Sequence, residues 1–228
     1  MPPFLDEAMR FFGYYNIVFL GQAFLYTASL SLIGCVAGFG AGFAIAIIRH
    51  PRVNAIAPLR WLATLYVEVM RRIPFLVKLM VVFFAVQLSG ADLGVFAVAA
   101  ITVALSASAF TAENIRAGFE SVHQNQWDAA EAMNMGGLSA LRRIILPQAW
   151  GVIIPPSMTY SVGLVKSTSI ASQIGVFELT YAAKIMNQKG FSAGLCFGVI
   201  LLLYFLLCYP LNIAATKLES RLASSRHR

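Results

Sequence analysis

The sequence predicts an all-α, membrane-spanning fold, and three observations carry that reading. Of 228 residues, 59% are hydrophobic and 12% charged, about half the charge that a soluble domain carries. Mean hydropathy is +0.73. The charges are also clumped, because positions 11 to 48, 93 to 112, 144 to 165 and 190 to 216 contain no Asp, Glu, Lys or Arg. A bilayer-crossing helix needs about 20 apolar residues. A net charge of +7 fits basic residues gathered on the cytoplasmic side of a membrane protein, so membrane lipid and not nucleic acid is the expected surroundings. Cys35, Cys196 and Cys208 sit in apolar runs without CxxC or Cys/His spacing, which points to small core residues and away from disulfides or metal.

Five spans follow in order. Residues 17–48 form the first, about 48 Å long as one helix against a hydrocarbon core of about 30 Å, so it must tilt or project. It is much longer than the apolar region of a signal peptide and no basic segment precedes it, so it is expected to stay in the mature protein. Gly34, Gly38 and Gly42 recur every four residues, as Thr27 and Ser31 do before them, a stripe that lets another helix approach closely, within the bundle or across a dimer seam. A mixed stretch runs to Arg72, and the second span, residues 73–88, contains Lys78. The third is residues 93–112, followed by a polar insert at 113–151. Pro155 and Pro156 can open the fourth, residues 156–175, since proline is tolerated in a helix's first turn; Lys166 lies near its middle. Residues 176–190 read as an outer loop, 191–213 as the fifth span, and a basic tail closes the chain.

Alternation of sides sets the orientation. Arg49, Arg52, Arg60, Arg71, Arg72, Arg116, Arg142, Arg143, Lys217, Arg221, Arg226 and Arg228 fall on one side; Arg10, Lys184 and Lys189 fall on the other. The positive-inside rule then places the N-terminus outside, and the C-terminus and the insert in the cytoplasm.

That insert is patterned. Gln126 to Met133 reads as a short helix with Asp128 in its first turn, favoured by the helix dipole, and with Ala129, Ala130 and Met133 as a flat apolar face beside Trp127. Gly136 and Gly137 break it, Leu138 to Ile145 forms a second helix, and Pro147 ends that one. A shallow apolar helix face suits a groove on another protein. His50, His123 and His227 have no nucleophile or carboxylate at motif spacing and read as solvated surface residues, so no catalytic site is expected.

Asp128-Ala-Ala, then Asn134, then nine residues and Ile144-Ile-Leu-Pro147 resemble the EAA loop of ABC importer permeases. Further segments resemble the polar amino-acid subfamily in its order: Tyr66-x-Glu68-x-x-Arg71 with Pro74-Phe-Leu-Val, Ala109-Phe-Thr-Ala-Glu113 with Arg116-Ala-Gly and Ser121-Val, Leu146-Pro-Gln-Ala, Ile154-Pro-Pro, Lys166-x-Thr-Ser and Glu178-Leu. Against the family pattern, Asp128 replaces Glu, Asn134 replaces Gly, Arg72 and Ile73 replace Gly-Thr, Lys78 replaces Gln and Ser167 replaces Asp. Asn tolerates a left-handed turn, so Asn134 can serve as the glycine would.

The resemblance implies a five-helix type I ABC importer permease domain over residues 1–228 in the inner (plasma) membrane of a prokaryote. Implied partners are two copies of an ATP-binding subunit, a second permease chain, identical or homologous, and an extracytoplasmic solute-binding protein. The substrate would be an amino acid. Trp127, Asp128, Ala129, Ala130, Met133, Asn134, Gly136, Ile144, Leu146 and Pro147 would dock the ATPase. Glu68, Arg71, Lys78, Glu113, Lys166, Thr168, Ser169 and Glu178 would line the path or hold the bundle together. Glu68 and Arg71 are spaced to pair, Lys78 to snorkel to the interface, and Lys166 to face protein or water. Lys78 beside Lys166 favours an acidic or zwitterionic substrate, unless carboxylates such as Glu178 neutralise both. No G-x-x-x-x-G-K-[ST] occurs, so the chain carries no cofactor of its own and ATP and Mg belong to the partner. The competing reading is a self-sufficient secondary transporter or channel subunit, which more often shows internal repeats or acidic residues within spans.

Overall fold

A computed structural model describes residues 3–224, and among these there is no strand. Arg226, His227 and Arg228 lie outside the described residues. A short helix, α1 (Pro3–Phe11), precedes the long α2 (Tyr14–Arg49), and Phe11 is buried edge-on against Phe191. Next come α3 (Ala57–Arg72), α4 (Phe75–Leu88) and α5 (Val95–Glu120). The insert holds α6 (Gln124–Ala132) and α7 (Gly137–Ala140), and the chain finishes with α8 (Leu146–Ser167), α9 (Leu179–Gln188) and α10 (Ala193–Ser224). Among the described residues, α2, α5 and residues Ala193–Leu222 of α10 are long and apolar enough to cross a bilayer by themselves. The apolar α4 has 14 residues, about 21 Å of helix.

The bundle is organised by α2 against α5. Thr27, Ser31, Gly34, Gly38 and Gly42 are all buried on α2. A Cβ added to Gly34 would lie 2.1 Å from Val103 Cγ1, one on Gly38 2.2 Å from Ala107 Cβ, and one on Gly42 2.7 Å from the Ser108 carbonyl oxygen. The glycine stripe is therefore the seam between two helices of this chain. Within the N-terminal half of α2, the Thr27 hydroxyl donates to the Ala23 carbonyl (3.0 Å) and accepts from the Leu179 amide (3.1 Å), which ties α9 to α2.

Several boundaries differ from the sequence reading. Residues 57–72 are helical, with Trp61 and Leu62 exposed on an amphipathic surface; their mixed composition hid a 3.6-residue period. Residues 176–190, read as an outer loop, contain α9, whose Leu179, Ala182, Ala183 and Met186 are buried at helical spacing and whose first turn is capped by Glu178. The helix of the third expected span, α5, runs on to Glu120, where Glu113, Arg116 and Glu120 pair along its surface at i,i+3 and i,i+4 and so support further turns.

Pro147 does not end a helix, nor do Pro155 and Pro156 open one. Instead α7 passes through a π turn (Leu141–Ile145) into α8, and Pro147 sits in the first turn of α8. The Leu146 amide reaches the Leu141 carbonyl, five residues back, so the widened turn absorbs the place where proline supplies no donor. Pro155 and Pro156 lie inside α8, held by its packing on α5, where a Cβ on Gly118 would sit 2.2 Å from Ile153 Cγ1. The helix tightens to a 3₁₀ segment (Thr168–Ile174) and stops at Gly175, whose φ of +82° suits glycine.

Gly38→Val forces a branched side chain into the α2–α5 seam and is expected to cost about 1–3 kcal/mol. Gly40, where an added Cβ meets nothing within 4 Å, supplies the control. Thermal denaturation in detergent should show a lowered Tm for Gly38→Val and an unchanged one for Gly40→Val.

Candidate functional site

The insert is a pinned helical hairpin. In α6 the His123 imidazole accepts the Asn125 amide at 3.3 Å as an N-cap. The C-terminus closes with bonds from the Asn134 amide to the Glu131 carbonyl (2.8 Å) and from the Met135 amide to the Ala130 carbonyl (3.0 Å). This pairing requires a left-handed residue at the closing position, and Asn134 adopts φ +57°. Gly136 then precedes α7 in an extended conformation.

The two sides of α6 separate the residues that the sequence grouped together. Trp127 and Ala130 face inward and share a core with Ala46, Ile115, Phe119, Ala140, Leu141 and Ile145. Ala129 and Met133 face outward, and Met133 (62% exposed) is joined by Leu138 (59%). Ile144 and Leu146 are half-buried and Pro147 is exposed, at the rim of a cavity of about 350 Å³ that Ser121, His123 and Trp150 also line. Leu138 could have been found in the sequence as an apolar residue in a polar segment just beyond the glycines.

Beneath α6 lies the turn after α2, whose contribution the sequence did not reveal. The His50 ring stacks on Trp127 with centroids 4.5 Å apart and planes at 14°, and Arg52 Nη2 donates to Asp128 Oδ1 at 2.9 Å. His50 is thus half-buried against Trp127, in contrast to the solvated reading, because its partner is distant in sequence; His123 is exposed, as that reading expects, and also caps α6. Burial, and then the Arg52 charge, push the His50 imidazole below its ordinary value of 6.5, against a smaller opposing pull from Glu120.

Polar groups along the bundle fall into distinct roles. Glu113 accepts Arg49 Nη1 at 2.9 Å and Arg116 Nη2 at 2.6 Å, with Arg71 Nη1 at 3.5 Å, joining the ends of α2 and α3 to α5. Glu68 pairs with Arg72 at 2.7 Å, one turn away, while Arg71 reaches across to Glu113. Lys78 does not snorkel. It is 7% exposed, with Nζ donating to the Met70 carbonyl at 3.0 Å, and it lies 6.0 Å from the Phe75 and Phe110 ring centroids. That carbonyl's i+4 neighbour is Pro74, which has no amide to offer, so the ammonium fills the vacancy.

Lys166 is exposed in a cavity of about 370 Å³ between α8 and α10, lined also by Tyr204, Phe205, Cys208 and Asn212, with no ion-pair partner among the described residues. The Lys78 and Lys166 side chains line different cavities. Thr168 donates to the Val165 carbonyl and Ser169 to the Lys166 carbonyl, each at 2.7 Å. Glu178, fully buried, accepts the Tyr181 amide and the Tyr204 hydroxyl, each at 2.7 Å, and neutralises neither lysine.

Residues 34–224 match the family of binding-protein-dependent transport system inner membrane components. The chain belongs to this family. Among relatives, the probable glutamine ABC transporter permease GlnM of Bacillus subtilis (strain 168) is 34% identical over 204 residues, covering 90% of this chain and 93% of GlnM. The L-cystine transport system permease TcyB of the same organism is 32% identical, covering 89% and 86%. Of solved structures, an amino acid ABC transporter crystallised with histidines superposes with a TM-score of 0.82 at 26% identity, over 91% of this chain and 95% of that one. The inward-facing MetNI methionine transporter gives 0.76 at 19% identity, covering 92% and 99%, a likeness of fold. The matched range, residues 34–224, takes in the glycines of the α2–α5 seam, the Glu113 cluster and the hairpin of this permease.

Because the folded permease resists protonating His50, the unfolded chain binds one proton more as pH falls below 6.5, and stability should drop through that range while being unaffected above it. His50→Gln should show a smaller loss of Tm between pH 7.5 and 5.5 than the parent, in parallel thermal scans.

Proposed function

We propose that this permease is the membrane-spanning subunit of an ATP-driven amino-acid importer, and that α6 and α7 are its handle for a cytosolic ATPase. The observation that carries the proposal is the divided hairpin: Trp127 and Ala130 are locked into the core while Ala129, Met133 and Leu138 present an apolar face outward. A side chain on a helix so fixed transmits force. The chain lacks a P-loop, so ATP and Mg are bound by the partner, and the permease is not itself an enzyme.

The handle needs a motor subunit for each permease chain, a second permease chain, identical or homologous, to complete the path, and an extracytoplasmic solute-binding protein to deliver substrate. In the topology that we favour, α2, α4, α5, α8 with its 3₁₀ extension, and α10 cross the inner membrane, with the N-terminus outside and the C-terminus cytoplasmic. The names of GlnM and TcyB support a polar amino acid as substrate. When the ATPase pair closes, the docked hairpins move with it and the bundles rock between openings to the two sides. Lys166, in its cleft without a carboxylate partner, suits contact with a carboxylate-bearing solute. Lys78 is committed to Met70 and contributes to architecture.

Co-purification from cells that also make the cognate ATPase tests the handle. Ala129→Arg or Met133→Glu should reduce the bound ATPase by at least about tenfold, equivalent to about 1.4 kcal/mol, while the permease stays folded. In proteoliposomes with the cognate binding protein, uptake of glutamine, glutamate, histidine and arginine should require ATP. Uptake by this chain alone, driven by an ion gradient, would instead identify a secondary transporter.

A further inference from the structure

We infer that the turn between α2 and α3, residues 50–54, is a lever that carries movement of the hairpin to α2 and α3, with Arg52 as its positioning residue; this rests on the handle role proposed above. Three unlike contacts bind the turn to the hairpin. Arg52 pairs with Asp128 at 2.9 Å and lies 3.9 Å from Glu131, an ionic link to two successive positions on one face of α6. His50 stacks on Trp127, and the Arg52 guanidinium carbon stands 5.8 Å from that ring's centroid. From α7, Gly137 meets the turn main chain to main chain: a Cβ there would fall 1.9 Å from the Arg52 carbonyl oxygen and 3.2 Å from Val53 Cα. A hairpin held from both helices cannot slide past the turn without carrying it along.

The turn is stiff and wired to its own helices. The amides of Val53 and Asn54 donate to the His50 carbonyl at 3.1 and 3.0 Å. The Asn54 side chain donates to the Ile48 carbonyl at 2.9 Å and accepts the Ile56 amide at 3.1 Å, and Arg60 Nη1 donates to the Asn54 carbonyl at 2.7 Å. Both helices then converge on Glu113, through Arg49 from α2 and Arg71 from α3. The hairpin is joined covalently to α5 and α8 alone. Through this turn, α2 and α3 move with them.

The test uses the complete transporter in proteoliposomes, with Arg52→Asp, Asp128→Arg and the double exchange, reading bound ATPase, ATP hydrolysis and uptake of a radiolabelled amino acid. Arg52→Asp should keep the ATPase bound and hydrolysing within about twofold while uptake falls about fivefold or more, and the exchange should restore most of it, as expected of a directly coupled pair. Gly137→Ala should uncouple in the same way; Arg52→Gln, which removes charge without adding repulsion, gives an intermediate loss if Arg52→Asp does not fold. Uptake unchanged in the folded Arg52 variants, or an exchange that keeps the ATPase bound and restores nothing, overturns the lever. Loss of the ATPase from Arg52→Asp also overturns it, by assigning the pair to docking. Absence of any bound ATPase from the parent complex would instead remove the handle itself.

Discussion

The whole arrangement depends on how closely α2 lies against α5. In lipid, helices gain nothing by hiding apolar surface from hydrocarbon, so they associate through close packing and a few hydrogen bonds. Gly34, Gly38 and Gly42 allow that packing, because the space a side chain would need is occupied by Val103, Ala107 and the backbone near Ser108. The seam sets where α2 ends relative to α5. It thereby brings Arg49 to Glu113 and puts the turn bearing His50 and Arg52 under the hairpin.

Charge placement separates architecture from availability. Desolvating a carboxylate is costly unless cations and hydrogen bonds surround it, and Glu113 has guanidinium groups from three helices around it. Lys78 completes a carbonyl left open by Pro74, and Glu178 caps α9 while binding Tyr204. All three groups have fixed duties. Lys166 differs, since its side chain opens into a cleft with no opposing carboxylate among the described residues.

Much of the fold was legible in the chain because the bilayer restricts which backbones can cross it. Charge-free runs located the long helices, and the ordered motifs located the hairpin. The left-handed tolerance of Asn134 was also readable, and the residue does close α6. Less was legible where local rules compete. The period of Leu179, Ala182, Ala183 and Met186 was present in the sequence but lay in a segment short enough to pass for a loop. Pro147, Pro155 and Pro156 signalled helix ends, yet a π turn and neighbouring packing kept one path helical from α7 to α8.

Taken alone, the sequence determined that this is a helical membrane chain, which segments are apolar enough for lipid, and that it carries the ordered motifs of an importer permease without a P-loop sequence. Those are properties of composition and short-range spacing. Only the tertiary structure decided that Glu68 pairs with Arg72 while Arg71 turns to Glu113, that Lys78 and Lys166 line different cavities, that Trp127 and Ala130 anchor while Met133 and Leu138 are offered outward, and that Arg52 meets Asp128. The reason is physical. A side chain's partner is set by the distance and rotation between helices, and those depend on packing across a seam whose two halves are some seventy residues apart, on the order of what separates Gly34 from Val103.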